Sequence, residues 1–347
     1  MATKSLKKAV TRSKPSGSIK ILISSYLPGL INEECRRMIT AVSRRAAVEE
    51  VTEWVNADRK GDSTFKKELD ARLAEAEIIF GSIVPRDIMA RSPKLQWVQT
   101  MNAGVNTVLD TDIIKSRVML TNAGGLHGVP MREFVLHFML LFVKQAPLCF
   151  QMKQTKKWVS FMPDMLHSKT CGVVGLGRIG GDVAKMAKTI GMRVMAPDIV
   201  KMAKPTYVDV MLPPGGLREL LSQSDFVVIA LPLTPETTKY IGEAELRAMK
   251  PTAYLINIAR GKILDDAALI RALEEHWIAG AGLDAFSTEP LPSDSKLWDL
   301  PNAILTPHVA GVSPNIHVAV TELFAKNLRR YLRGEKLINV VDKKRGF

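Results

Sequence analysis

Three side chains in the second half of the chain have the types needed for acid–base chemistry at a carbonyl carbon: Arg260, Glu289 and His308. Each follows a short apolar run that reads as a strand: AYLINIA before Arg260, AGAGLDAFST before Glu289 and NAILTP before His308. In an open parallel sheet the carboxyl ends of the strands line the ligand crevice, so the three are expected to converge there. Histidine exchanges a proton near neutral pH. A carboxylate beside it stabilises the imidazolium and fixes the ring, and arginine can clamp a carboxylate with two parallel hydrogen bonds. These types together suit reversible hydride transfer to a carbonyl. A TPH tripeptide or an Arg-Gly pair alone is ordinary loop sequence, so the weight lies in the ordered set. The other histidines, His127, His137, His167, His276 and His317, have no such company.

Hydride transfer needs a carrier, and Thr170–Asp198 has the pattern of a dinucleotide site. Cys171, Val173 and Val174 form a short apolar run into Gly175-Leu176-Gly177-Arg178-Ile179-Gly180. Apolar positions at helical spacing follow at Ile179, Val183, Met186, Ala187 and Ile190, and Gly191 stops the helix. A second strand, Met192–Ala196, leads to Asp198. In this motif the first glycine permits the sharp turn, the second lets backbone N–H groups approach a pyrophosphate at the helix N-terminus, and the third allows close helix–strand packing. Asp198 is placed to accept from ribose hydroxyls and to repel a 2′-phosphate, which favours NAD over NADP; Lys201 and Lys204 nearby could instead partner a phosphate.

These elements need scaffolds. Before the glycine turn, strands are expected at Ile19–Ser24, Val48–Val55, Glu77–Ser82, Leu95–Thr100 and Val118–Thr121, with helices at Leu30–Arg45, Phe65–Ala76 and Asp87–Ser92. That alternation describes a complete small α/β domain with a parallel sheet and no phosphate-binding glycine loop. Pro130–Phe150 reads as a helix apolar almost all round, which requires cover on more than one side, from its own domain or from a second copy of the chain. After the glycine turn, strands at Phe226–Ala230, Ala253–Ile258, Ile278–Leu283 and Ala303–Leu305 alternate with helices at Leu217–Gln223, Ala244–Met249 and Ala267–His276. A last helical stripe, Asn315–Arg333, is expected to return to the first domain. The expected division is therefore 19–121 plus 312–347 for one domain and 122–311 for the other, with hinges near Gly125 and Gly311 flanking a cleft.

The totals fit two domains: 347 residues, 46% hydrophobic and 24% charged. No run approaches the roughly 20 apolar residues needed to span a bilayer, so no membrane role is expected. Cys35, Cys149 and Cys171 form no CxxC pair, which argues against a disulfide framework or structural zinc and for a reducing, cytoplasmic setting. Of the net charge of +13, residues 1–20 hold Lys4, Lys7, Lys8, Arg12, Lys14 and Lys20 with no acid, leaving +7 for the remainder; the tail, residues 1–18, is read as a solvated disordered arm. Without interleaved aromatics it is weak evidence for nucleic acid. No metal site is expected.

The chain resembles the NAD-dependent D-isomer-specific 2-hydroxyacid dehydrogenases. The resemblance rests on NAGV at Asn102–Val105, GLGRIG at Gly175–Gly180, SDFVVIALPLTPET at Ser224–Thr237, INIARG at Ile256–Gly261, LDAFSTEPLP at Leu283–Pro292 and LTPHVAG at Leu305–Gly311, in the family's order. It implies a Rossmann-type NAD domain and a flavodoxin-like substrate domain. His308 then protonates the 2-oxo oxygen, Glu289 supports the imidazolium, and Arg260 holds the substrate carboxylate with the backbone amides of Ala103, Gly104 and Val105. Gly175, Gly177, Arg178, Ile179, Gly180, Asp198, Pro232, Thr237, Ala259 and Asp284 hold the cofactor, with Asp284 against the nicotinamide. Loops near Ser24–Leu27, Ile83–Arg86 and Trp97 shape the side-chain pocket. The implied activity is reduction of small 2-oxo acids such as glyoxylate, hydroxypyruvate or pyruvate homologues; the all-round apolar helix separately suggests a homodimer joined through residues 130–150. D-3-phosphoglycerate dehydrogenase and a dinucleotide-sensing corepressor are the alternatives. The sequence departs from the family at His127, within GLHGVPMRE where alanine-rich sequence is usual, and at Asn106, where many members have Asp. Glu289 separates it from the formate-oxidising branch, which pairs its histidine with Gln.

Overall fold

The computed structural model describes residues 17–197 and 204–346; most of the basic tail, Asp198 and Lys201 lie outside them. The chain divides into two compact units, residues 17–123 with Asn315–Arg345, and Gly124–Pro314.

The first unit is built on β1 (Ile19–Ser24), β2 (Ala46–Glu50), β3 (Ile78–Gly81), β4 (Trp97–Gln99) and β5 (Met119–Thr121), all parallel in the order β2-β1-β3-β4-β5. This is the flavodoxin-like order. Its helices are α1 (Glu33–Thr40), α2 (Thr52–Arg59), α3 (Lys66–Glu75), α4 (Ile88–Arg91) and α5 (Asn106–Leu109). The strands are apolar because helices cover both faces of a parallel sheet. Ile19, Ile21 and Ile23 are wholly buried.

Two expectations change here. Helix α1 is shorter than Leu30–Arg45, because Asn32 caps it by accepting from the Cys35 amide at 3.0 Å. The expected strand Val48–Val55 stops at Glu50, and α2 takes over from Thr52. Val51, Trp54 and Val55 stand at helical spacing, and the Val55 amide donates to the Val51 carbonyl at 3.0 Å.

The C-terminal helix Ile316–Leu332 closes this unit. Phe324 stacks on Phe80 with centroids 4.3 Å apart and on Trp97 at 5.1 Å, and Tyr331 stacks on Trp97 at 5.5 Å. The Trp97 indole N–H donates to the Thr121 hydroxyl at 2.9 Å. Trp97 is wholly buried, so it belongs to the core and not to a substrate pocket.

In the second unit, α6 (Gly128–Val143) and α7 (Ala146–Thr155) precede β6 (Thr170–Val174), α8 (Arg178–Thr189), β7 (Arg193–Pro197), β8 (Val210–Leu212), α9 (Leu217–Gln223), β9 (Phe226–Ile229), α10 (Glu243–Arg247), β10 (Tyr254–Asn257), α11 (Asp266–Glu274), β11 (Gly280–Leu283) and β12 (Ala303–Leu305). The sheet order is β12-β11-β10-β9-β6-β7-β8, again all parallel. The chain winds one way from β6 and returns at β9 to wind the other, so a switch point lies between these two strands, where doubly wound sheets bind ligands.

The apolar stretch Pro130–Phe150 is not one helix. Gln145 adopts φ 51° and Pro147 starts the second segment, because proline lacks the N–H and clashes inside a helix. Phe138, Met139 and Phe142 of α6 are buried in the core of this unit. A Cβ on Gly282 would come within 2.8 Å of the Phe138 ring, which explains the glycine-rich strand AGAGL. Among the described residues no single helix is long and apolar enough to cross a membrane.

Candidate active site

Strand β6 runs into the glycine turn and α8 as the pattern requires. Gly175 has φ 105°, and a Cβ there would meet the Ala230 carbonyl at 2.8 Å. A Cβ on Gly180 would collide with the Gly175 carbonyl oxygen, so the helix lies directly against the turn. Gly177 differs: a Cβ would meet nothing within 4 Å, and both Gly177 and Arg178 are exposed. Gly177 is also the N-cap of α8 and supplies no side-chain cap. The helix therefore presents uncapped first-turn N–H groups and open space in front of them, as a pyrophosphate requires. These residues fit a dinucleotide. On the neighbouring loop after β9, the Thr237 hydroxyl donates to the Pro232 carbonyl at 2.7 Å, and Thr234 with Thr237 forms a capping box.

Glu289 and His308 meet. His308 Nδ1 lies 2.9 Å and 2.8 Å from the two oxygens of Glu289, and Oε1 also accepts from the Phe286 amide at 2.9 Å. Both side chains remain open to solvent, at 43% and 37% exposure. His308 itself adopts φ 55°, a left-handed conformation uncommon outside glycine and held only where surrounding contacts impose it.

Asp284 imposes it. Its carboxylate accepts from the Thr306 hydroxyl at 2.6 Å and from the amides of Val309 and Ala310, each at 2.9 Å. The loop is thus tied down on both sides of His308. Asp284 is 2% exposed and both its oxygens are engaged in these bonds.

Arg260 stands at the end of β10, half-buried, with Nη1 donating to the Ala259 carbonyl at 2.7 Å. Buried Asn257 braces this turn, accepting from the Ala259 amide at 3.0 Å and donating to the Arg260 carbonyl at 3.1 Å. A Cβ on Gly261 would strike the Phe286–Ser287 backbone, so the loop bearing Arg260 packs on the loop bearing Glu289. Asn257, Gly261 and Phe286 were not singled out by sequence reasoning. A polar residue ending an otherwise apolar buried strand, as in LIN, was the available sign for Asn257, because buried polar groups are almost always bonded.

In the other unit, the NAGV turn is firmly held. The Asn102 carbonyl accepts from the Thr100 hydroxyl at 2.8 Å and the Ala123 amide at 3.0 Å, and the Asn122 side chain donates to the Ala103 carbonyl at 2.8 Å. The amides of Ala103, Gly104 and Val105 have no acceptor among the described residues. His127, flagged as a departure, donates from Nδ1 to the Gly311 carbonyl at 2.9 Å.

Comparison with known proteins places the chain in a family. The family model for the D-isomer specific 2-hydroxyacid dehydrogenase NAD binding domain matches residues 136–310. A glyoxylate reductase from Pyrococcus furiosus is 44% identical over 269 residues, covering 75% of this chain and 80% of that protein. A glyoxylate reductase from Korarchaeum cryptofilum is 35% identical over 266 residues, with 75% and 80% covered. A solved D-isomer specific 2-hydroxyacid dehydrogenase from Xanthobacter autotrophicus Py2, in complex with NADPH and MES, superposes with TM-score 0.81 at 28% identity, covering 95% of this chain and all of that one. With its two parallel α/β sheets, its glycine turn and its paired histidine and glutamate, the chain belongs to the D-isomer specific 2-hydroxyacid dehydrogenase family.

Proposed function

We propose that the protein is an NAD(H)-dependent reductase of small 2-oxo acids of the glyoxylate and hydroxypyruvate type, producing D-2-hydroxy acids. The observation that carries this reading is the seating of His308 Nδ1 between both oxygens of Glu289. With Nδ1–H donated to the carboxylate, Nε2 is the nitrogen left to exchange a proton. In reduction, the imidazolium gives that proton to the 2-oxo oxygen and returns to the neutral ring; in oxidation, the neutral ring takes it back. Glu289 stabilises the charged ring and holds its plane. Arg260 pairs with the substrate carboxylate and polarises the carbonyl. In the first unit, the amides of Ala103, Gly104 and Val105 form the carboxylate-holding turn, which makes that unit the substrate domain. The second unit is the cofactor domain: Gly175, Gly177, Arg178, Ile179 and Gly180 hold the pyrophosphate, while Pro232, Thr237 and Ala259 line the remaining path. When bound, the nicotinamide supplies or removes the hydride.

The preferred cofactor is NADH, from the charge of Asp198. Steady-state rates with glyoxylate, hydroxypyruvate and phosphohydroxypyruvate, each with NADH and NADPH, test the reading. The expected result is turnover of the first two acids in preference to the third, with kcat/KM at least about tenfold higher for NADH, a repulsion of about 1.4 kcal/mol. Preference for the phosphorylated acid would assign the chain to D-3-phosphoglycerate oxidation, and preference for NADPH would refute the role of Asp198.

The protein acts as a homodimer joined through α6, α7 and the segment after them. Trp158 is 94% exposed and Met162 87%, with Phe150 and Met165 also exposed nearby in sequence, and grouped exposed apolar side chains mark interaction surfaces. Light scattering is expected to find a dimer for the wild type and a monomer for Phe150→Glu/Trp158→Glu. A monomeric wild type would overturn this assignment. The three unpaired cysteines support a reducing compartment, read as the cytoplasm.

A further inference from the structure

Resting on that reading, we infer that Tyr26 determines specificity by offering its hydroxyl hydrogen to a hydroxyl group on C3 of the substrate, so that the preferred substrate is a 3-hydroxy-2-oxo acid. Tyr26 follows β1 at the carboxyl edge of the first unit's sheet and is 47% exposed. Its hydroxyl accepts from Asn102 Nδ2 at 3.1 Å. In this orientation of the amide, Asn102 Oδ1 accepts from the Ser82 hydroxyl at 3.3 Å. With Asn102 as the donor, the phenolic O–H keeps its own hydrogen to give, and no acceptor for it exists among the described residues.

The loop is fixed in this position. Asn56 donates to the Tyr26 carbonyl at 3.3 Å, the Ser25 hydroxyl donates to the Leu27 carbonyl at 2.6 Å, and the Ser25 amide donates to the Thr52 hydroxyl at 3.1 Å. Asn102 immediately precedes the turn whose amides are assigned to the substrate carboxylate. One side chain therefore links the carboxylate-holding turn to an available phenolic donor. Glyoxylate has no C3 and pyruvate has only a methyl group there, so neither can use that donor. Hydroxypyruvate presents a neutral acceptor at that carbon. Tyr26 and Asn102 are both uncharged, which suits a hydroxyl better than a phosphate.

The test compares wild type and Tyr26→Phe with NADH on hydroxypyruvate and pyruvate, which differ only in the C3 hydroxyl. The ratio of kcat/KM for hydroxypyruvate over pyruvate is expected to be about tenfold or more in the wild type and to fall about tenfold in Tyr26→Phe, because a polar site left unpaired discriminates by such factors. The ring is retained, so a matching thermal midpoint separates this effect from misfolding. An unchanged ratio in a folded variant overturns the role of Tyr26 while leaving 2-oxo acid reduction standing. A wild type that consumes no NADH with either acid overturns both.

Discussion

A His308→Ala variant is expected to reduce 2-oxo acids about 10²–10⁴-fold more slowly than the wild type, with the Kd for NADH held within about twofold. The separation of the two effects follows from position. His308 touches Glu289 through Nδ1 and stands on the loop after β12, whereas the proposed pyrophosphate site is the turn after β6. Loss of the ring removes the proton donor and leaves the glycine turn intact. Glu289→Gln is expected to fall between the two: a glutamine oxygen can still accept from Nδ1–H, but it carries no charge to balance the imidazolium. Stopped-flow NADH oxidation alongside fluorescence titration of NADH reads both quantities. Wild-type turnover in His308→Ala would remove the histidine from the mechanism.

Asp284→Ala is expected to cost both stability, on the order of 3 kcal/mol, and about 10²-fold in kcat. The first follows because the Val309 and Ala310 amides lose their acceptor, and a buried unsatisfied N–H costs roughly 1–3 kcal/mol. The second follows because these ties hold the loop on which His308 adopts φ 55°, and a shift of about 1 Å at a catalytic group can cost such a factor. Asp284→Asn keeps one acceptor oxygen and should lose less of each. Urea unfolding and steady-state rates check this. A variant with wild-type stability but a weakened Kd for NADH would show that Asp284 acts on the nicotinamide and not on the loop.

The alternation of strands and helices was legible because parallel strands buried on both faces are apolar throughout and because glycine stops helices cleanly, as at Gly191 and Gly334, both at positive φ. The reading failed where one apolar run serves two elements. Val48–Val55 looks like a single strand, yet its last residues sit at helical spacing in α2. Pro130–Phe150 looks like one helix until Pro147 is given its due. Strand β8, three residues at the sheet edge, carries too little pattern to register.

For the site, His308, Glu289 and Arg260 stood out by residue type. What positions them did not. Asp284 reaches the loop 22 to 26 residues further along, and Gly261 meets Phe286 and Ser287 across the fold. Such partners are set by which strands neighbour one another, β10 with β11 and β11 with β12, and a linear pattern does not carry that information.

The stereochemistry of the product tests the central claim most directly. Hydroxypyruvate reduced to completion by the purified wild-type chain with NADH should yield D-glycerate alone on chiral chromatography. L-glycerate, a racemic mixture, or no glycerate would contradict it.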